Sequence, residues 1–487
     1  MHPVGPVSET IDRRRDTRLR DAPLRGRHRW GAALSIALFG TIALPAGATD
    51  LLDAWRAAQQ HDLDHAAARA GQQAAAARRG QAAALWRPTV VLTGTAGVAG
   101  SDTAVSGAQF SAPGLGTSSG VGFDTSVNRG TLGRWGVQAS LPLYSRERDA
   151  QGRQLEISAG LADLEWEDAQ QTLMLVTTQR YFDVVLAHET LRVLRRQQEA
   201  VGKALAETQD RFRLGNVPVT DTHEAATRFD AITAQVLASE TDLQLKQVAL
   251  ADATGLPADT AQLLLPAAAN SPADVGALAP WLADAGARNP RLRMQIAAVE
   301  VARQEAAKSS GSFAPSVDLV AQIGRERLSG HGDYGSASNA AGNRMIGVQL
   351  SLPLYTGGLR DARQQEAQRA IDKAQAQADR GRQQAAQQAR AAWLGLSVGA
   401  GRVQALAQAL ASSRSRLDAT RLGRQVGDRT TLELLNAEND AANAELTLLS
   451  ARIELLMNRL RLAAVAGRLD EASLQSVNAS LQAPGGR

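Results

Sequence analysis

The stretch GVQASLPLY occupies residues 136–144 and GVQLSLPLY occupies 347–355, the two differing only where Ala139 is answered by Leu350. A nonapeptide that returns 211 residues later restricts the fold more than any compositional property, because one structural unit then has to be built twice. Other landmarks keep nearly the same offset. Gly215 in RLGNVPVTD corresponds to Gly427 in RQVGDRTTLE, and Gly255 in ADATG to Gly467 in AAVAG, each pair 212 residues apart. WRPTVVL at 86–92 likewise corresponds to FAPSVDL at 313–319. The chain reads as an internal duplication.

Each copy reads as two strands followed by two long helices. In the first strand Val90, Leu92, Gly94, Ala96 and Val98 share a face, as do Val317, Leu319, Ala321 and Ile323 in its counterpart. In the returning strands Trp135, Val137, Ala139 and Leu141 oppose Gly136, Gln138 and Ser140, while Ile346, Val348, Leu350 and Leu352 oppose Gly347, Gln349 and Ser351. Period two with one apolar and one small polar face describes a half-buried strand. A soluble sandwich needs many more strands than these four, and four strands cannot close a barrel. If the apolar faces meet lipid, every sheet edge has to be paired, so several copies must pool strands in one barrel.

Between the strands of the first copy, residues 97–133 are rich in Gly and Ser and read as a solvated, flexible loop outside the membrane. Pro88 and Pro142 lie 54 residues apart, against 38 for Pro315 and Pro353, so this loop is the longer one. It carries no phosphate-cradling GxxxxGK[ST] pattern.

After Pro142 the chain runs without proline from about Asp149 to Leu214, and in the second copy from about Leu359 to Val426. At about 1.5 Å per residue each run reaches roughly 100 Å as a helix, far more than a globular core requires. Val184, Ala187, Leu191, Leu194, Gln198, Val201, Leu205, Thr208 and Phe212 keep alternating spacings of three and four. Adding 212 gives a matching seam through Leu396, Gly399, Val403, Leu406, Leu410, Ser413, Leu417 and Thr420. A periplasmic structural coiled coil without a pore would explain these heptads but not the strands.

At the N-terminus eight arginines precede an apolar run of about 15 residues and Ala46-Gly47-Ala48, which reads as a signal peptide over residues 1–48. The run falls short of the roughly 20 residues a membrane-spanning helix needs. Eight of the 53 basic and four of the 49 acidic residues lie in that segment, so the remainder holds 45 of each sign and gives no support to nucleic-acid binding. Cysteine is absent, which excludes disulfides, thiolate metal sites and a lipid-modified N-terminal cysteine.

Catalytic patterns are missing. His188-Glu189 and His223-Glu224 lack the second histidine of a zinc-protease helix, and no GxSxG occurs. His61 and His65, four apart in a helical stretch, read as solvated surface rather than as metal ligands. No enzyme activity, cofactor or metal is expected.

The paired P-L-Y strand ends, Gly357-Gly358 after Tyr355, RFRLGNVPVTD and its counterpart RTTLELLNAE together resemble the TolC family of outer-membrane channels over residues 50–470. The resemblance implies a mixed α and β membrane protein. Three chains with four strands each would form a 12-stranded outer-membrane β-barrel, continued by a long periplasmic α-helical barrel. It divides the chain into a signal peptide (1–48), a first repeat (49–255), an inter-repeat linker (256–280), a second repeat (281–467) and a C-terminal tail (468–487). Its implied partners are a periplasmic adaptor (membrane fusion protein), an inner-membrane transporter of the ABC type, and an exported protein or small-molecule cargo.

By the same resemblance Thr220, Asp221, Arg424 and Arg429 belong to a periplasmic gate held shut by polar links, with Arg424 standing where the family has an aromatic residue. Glu433 and Asn436 line a pore constriction whose second acid is here an amide, which halves the expected charge. Capping is the competing role for Asp221 and Glu433, since acids favour helix N-termini. The missing lipidated cysteine turns the expectation toward type I protein (toxin) secretion, with multidrug or metal efflux as the alternative.

Overall fold

The structure is a computed structural model that describes residues 50–114, 116–257, 264–266, 275–333 and 335–482; the expected signal peptide and part of the linker lie outside these. Two short helices, α1 (Leu51–His61) and α2 (Leu63–Ala84), lead into the strands β1 (Thr89–Ala112) and β2 (Gly116–Tyr144). Two helices follow, α3 (Arg146–Arg213) and α4 (Val219–Thr254). After a two-residue strand β3 (Leu265–Pro266), the same order recurs: α5 (Leu278–Arg288) and α6 (Pro290–Gly311), β4 (Ser316–Gly332) and β5 (Gly335–Ser351), then α7 (Leu359–Gln425) and α8 (Thr431–Val465). The chain ends in α9 (Glu471–Asn478) and β6 (Leu481–Gln482), which pairs with β3.

The long helices are close to the expected lengths. α3 has 68 residues and α7 has 67, or about 100 Å each. α3 begins where the Ser145 side chain accepts from the Arg148 amide and ends where Leu214 and Gly215 turn the chain. Its lower part packs against α4, its upper part against α2 and α6; α7 does the same with α8 and α6, and α3 touches α8 to join the two pairs. Every residue of the second seam, Leu396 through Thr420, is buried or half-buried, and in the first seam only Phe212 is exposed.

Four strands form one antiparallel sheet in the order β1-β2-β4-β5, which leaves β1 and β5 as open edges. Directly opposed residues share a face, so the register sets the two surfaces. Val90 meets Ala139 and Ala139 meets Ala321, which meets Ile346; Leu141 meets Leu319, which meets Val348. One contiguous apolar band results, and within it Val90, Leu92, Ile346, Val348 and Leu350 are exposed, with nothing among the described residues of the protomer covering them. The opposite face carries Thr93, Gln138, Ser140, Gln322 and Asn343, with Arg134 ion-paired to Glu326.

Residues 97–133 do not form the expected loop. β1 and β2 pair almost to Ala112 and Gly116, while β4 joins β2 only as far as Arg129, so the first hairpin projects as a two-stranded ribbon. Register shifts after Ala99 and Val105 accompany Gly107 and Gly120, whose positive φ angles fit irregular ladder positions. Ser, Thr and Val between the glycines supply β-compatible residues, and pairing decides the conformation that composition had suggested was loose.

Midway along the long helices, Leu51 and Trp55 of α1, Tyr181 and Phe182 of α3, Leu456 and Leu460 of α8 and Leu474 and Val477 of α9 make the main core. Asn478 accepts from the Leu51 amide and donates to Asp50 at 2.8 Å, which fastens the start of the described chain to its end. The Tyr181 hydroxyl accepts from the Leu264 amide at 2.8 Å, and burial pushes its pKa up, so the phenol stays neutral. This belt fixes the helices above the tip where the sequence placed a gate.

Candidate functional site

The two tip turns share one geometry. After α3, Gly215 adopts φ 73° and the Asn216 amide donates to the Arg211 carbonyl at 2.8 Å; after α7, Gly427 adopts φ 84° and the Asp428 amide donates to the Gly423 carbonyl at 2.8 Å. Both are six-residue helix closures that need a left-handed residue, which glycine supplies without strain. Pro218 and Thr430 then cap α4 and α8.

The structure separates the six expected residues into distinct contacts. Arg424 is the most engaged, its side chain only 9% exposed. It ion-pairs with Glu207 on α3 and donates to the Thr431 hydroxyl of α8 at 2.7 Å, tying the ends of three helices together. Sequence reasoning placed Arg424 at the gate but missed Glu207, a partner 217 residues away with no local signal.

Arg429 turns instead to its own helix start, donating to Glu433 at 2.9 Å. The Glu433 carboxylate also accepts from the Thr430 amide at 2.8 Å and the Thr430 hydroxyl at 3.1 Å, completing a capping box. Those bonds, the Thr430 amide first, hold Glu433 below its ordinary pKa, and the same carboxylate raises that of Arg429. Glu433 is thus a charge with a counter-charge beside it.

Asn436 accepts from Arg228 of α4 at 3.1 Å, and Arg228 reaches Glu224 at 3.3 Å. Arg228 was not singled out in the sequence, since an arginine on a polar helix face carries no distinguishing pattern. Thr220 and Asp221 are exposed, with the Thr220 hydroxyl 3.4 Å from the Asp221 carboxylate. Asp221 has no ion pair among the described residues, and it lines a cleft with Thr208, Arg211, Arg228, Thr430 and Thr431. Asp221 and Arg429 are not linked within one protomer.

Above the tip, Glu445 of α8 receives Arg192 at 2.7 Å and Arg196 at 3.1 Å from α3, with Arg414 of α7 at 3.5 Å. Burial raises the Glu445 pKa, yet hydrogen bonding and charge from Arg192 and Arg196 outweigh it and leave the carboxyl below its ordinary range. The same three helices are therefore joined twice, by Glu445 and by Arg424.

The histidines do not make a metal site. α1 ends at His61 and α2 begins at Leu63 with Asp62 as its N-cap, so His61 and His65 do not share a helix. His65 is buried rather than solvated, its ring tilted by 36° against Trp166 with centroids 4.6 Å apart. Among the described residues no group of three or more His, Cys, Asp and Glu converges on a cation position, and no helix is long and apolar enough to cross a membrane.

The family model for "Outer membrane efflux protein" matches residues 55–256 and again 281–468. The chain belongs to the outer membrane efflux protein family. Outer membrane protein TolC of Escherichia coli K12 is 29% identical over 338 residues, 68% of each chain. Alkaline protease secretion protein AprF of Pseudomonas aeruginosa is 28% identical over 344 residues, 70% of each. The crystal structure of the outer membrane protein VceC from Vibrio cholerae has the same fold, with a TM-score of 0.65 at 20% identity over 86% of this chain and 96% of that one. This outer membrane efflux protein accordingly resides in the outer membrane, with its helices extended into the periplasm, and its family is one of channels rather than enzymes.

Proposed function

We propose that three copies of the chain close one 12-stranded barrel and one helical tunnel, making the passive exit duct of a tripartite export machine. The observation that carries this reading is the four-stranded sheet with two unpaired edges and an uncovered apolar band. Unpaired backbone groups in hydrocarbon cost several kcal/mol each, roughly, so β1 of one protomer has to meet β5 of the next. On β2 the apolar run from Leu141 to Trp135 spans about 20 Å along its strand and, tilted by about 40°, covers about 15 Å of the membrane normal, ending at an aromatic residue of the kind that borders an apolar barrel band.

At the periplasmic end, Arg424–Glu207 and Arg228–Asn436 hold the two helix pairs of a protomer together, while Asp221, exposed and without an ion pair among the described residues, and Arg429, whose contact with Glu433 is exposed, can engage a neighbouring protomer. Glu433 and Asn436 face the constriction with little uncompensated charge. An adaptor and an inner-membrane transporter of the ABC type open the tip by releasing these links, and the duct itself supplies no energy. For the cargo, the similarity to a protein named for protease secretion favours type I secretion of a protein, in line with a chain that lacks any cysteine for a lipid anchor.

Deletion of the gene, followed by separate assays of culture-medium protein and of drug and metal sensitivity, tests this. Loss of one extracellular protein with unchanged sensitivities is the expected outcome. Heightened sensitivity with normal secretion would move the protein to small-molecule efflux.

A further inference from the structure

The sheet distributes its charges unequally between its two faces. Register places Arg325, Arg327 and Arg344 on the side of the apolar band: Arg325 opposes Trp135, Arg344 opposes Ile323 and Arg327 opposes Gly133. All three are exposed, in step with Ile323 on the same side, while Val320 and Leu328 of the alternate parity are buried. The carboxylates of β4, Asp318 and Glu326, lie on the other face, where Arg134 pairs with Glu326 and Arg148 with Asp318. Among the described residues the three outward guanidiniums have no ion pair or side-chain hydrogen bond.

Their height is as specific as their side. On β4 and β5 the apolar run stops at Ile323 and Ile346, and the arginines follow at the end remote from the helices. Because the helices extend into the periplasm, that end is the outer one. Arg325 and Arg344 are diagonal neighbours, about 7–8 Å apart at the backbone, which lets two guanidiniums share one anion. Gly342, Ala340 and Gly133 opposite them leave the surface open. An arginine at the bilayer midplane is strongly destabilising, whereas at the interface the penalty nearly vanishes, and Trp135 beside them is a residue type that favours that layer.

We infer that Arg325, Arg344 and Arg327 form a docking surface for the phosphate groups of lipid headgroups in the outer leaflet of the outer membrane. The inference rests on the apolar band facing lipid, as the barrel reading requires. Guanidinium pairs bind phosphate bidentately, and the band below them seats the acyl chains of the same lipid, so charge and apolar contact come from one molecule. The ring of such sites around a barrel would anchor the channel at a fixed depth.

The test uses the full-length protein purified in detergent, with bisphosphorylated lipid A and its dephosphorylated form as probes. Wild type should bind the bisphosphorylated form more tightly. The triple variant Arg325→Gln, Arg327→Gln and Arg344→Gln should lose that preference, by about fivefold per guanidinium removed. A double variant on the inner face, Arg134→Gln with Glu326→Gln, should bind as wild type does. Equal binding of both lipid forms by wild type would overturn the inference without any variant, as would an unchanged triple variant or equal loss in the inner-face control. Single-channel conductance of the same preparations separates the two readings: a conducting channel indifferent to lipid phosphate sinks only this inference, and a preparation that never conducts sinks the barrel reading as well.

Discussion

Arg424 shows how one side chain can take a role that local pattern cannot assign. It stands where the family resemblance implies an aromatic residue, and its guanidinium instead reaches Glu207 on α3 and Thr431 on α8. Removing either member of a pair with one buried end leaves the other short of a partner, which weakens the junction more than cutting an exposed pair does. Glu207→Gln and Arg424→Gln should therefore each raise single-channel conductance in planar bilayers, and the double variant should exceed neither by much, because both remove one link. Additive increases, or none, would take the pair out of the gate. Arg429→Ala cuts only an exposed contact inside its own turn of helix, so a comparable rise there would mean that its guanidinium also reaches another protomer.

Elements were read from the sequence to different depths for identifiable reasons. Proline-free runs and a three-four apolar spacing reported α3 and α7 nearly to the residue, since helix seams are set by side chains close in sequence. The strands adjoining Pro142 and Pro353 were equally plain, because one face is apolar and the other small and polar, and strand geometry turns that difference into alternation along the sequence. In residues 101–126 glycine, serine and threonine blur the apolar alternation, and only cross-strand pairing reveals the hairpin. Arg424–Glu207 and the split of His61 from His65 were illegible because each depends on where helices end in space. The ribbon beyond β4 has no third strand to support it, and a two-stranded hairpin is at best marginal alone. Replacing residues 103–125 by Asn-Gly, which favours a tight hairpin turn, should leave the assembly of the proposed trimer, read by gel migration, and its conductance as they are in the unaltered chain. A variant that no longer assembles would show that the ribbon is part of the barrel wall.

At the scale of the whole molecule, the protomer is a complete set of elements with an incomplete surface. Its core belt around Tyr181 and Phe182 is satisfied internally, whereas the edges of β1 and β5, the apolar band, and helix residues such as Leu237 and Leu245 of α4 and Val398 of α7 are left exposed. In the proposed trimer a four-stranded antiparallel sheet, twisted and curved, would occupy a third of a barrel, and closed cyclic symmetry would pair each β1 with a β5 through one repeated contact. The absence of cysteine makes this directly measurable, because introduced thiols have no native competitors. Single cysteines at Val91, Thr93 or Thr95 on β1, each combined with one at Asn343, Met345 or Gly347 on β5, sample the possible registers on the inner face. Under mild oxidation in isolated outer membranes, combinations in register should give covalent dimers and trimers on denaturing gels, with no larger species. Neighbouring combinations two residues out of register should react weakly, since disulfides tolerate only about 4.4–6.8 Å between Cα atoms. Monomer alone in all nine combinations would mean that the edges meet something other than each other, and a ladder continuing past three would mean that the barrel closes with more chains.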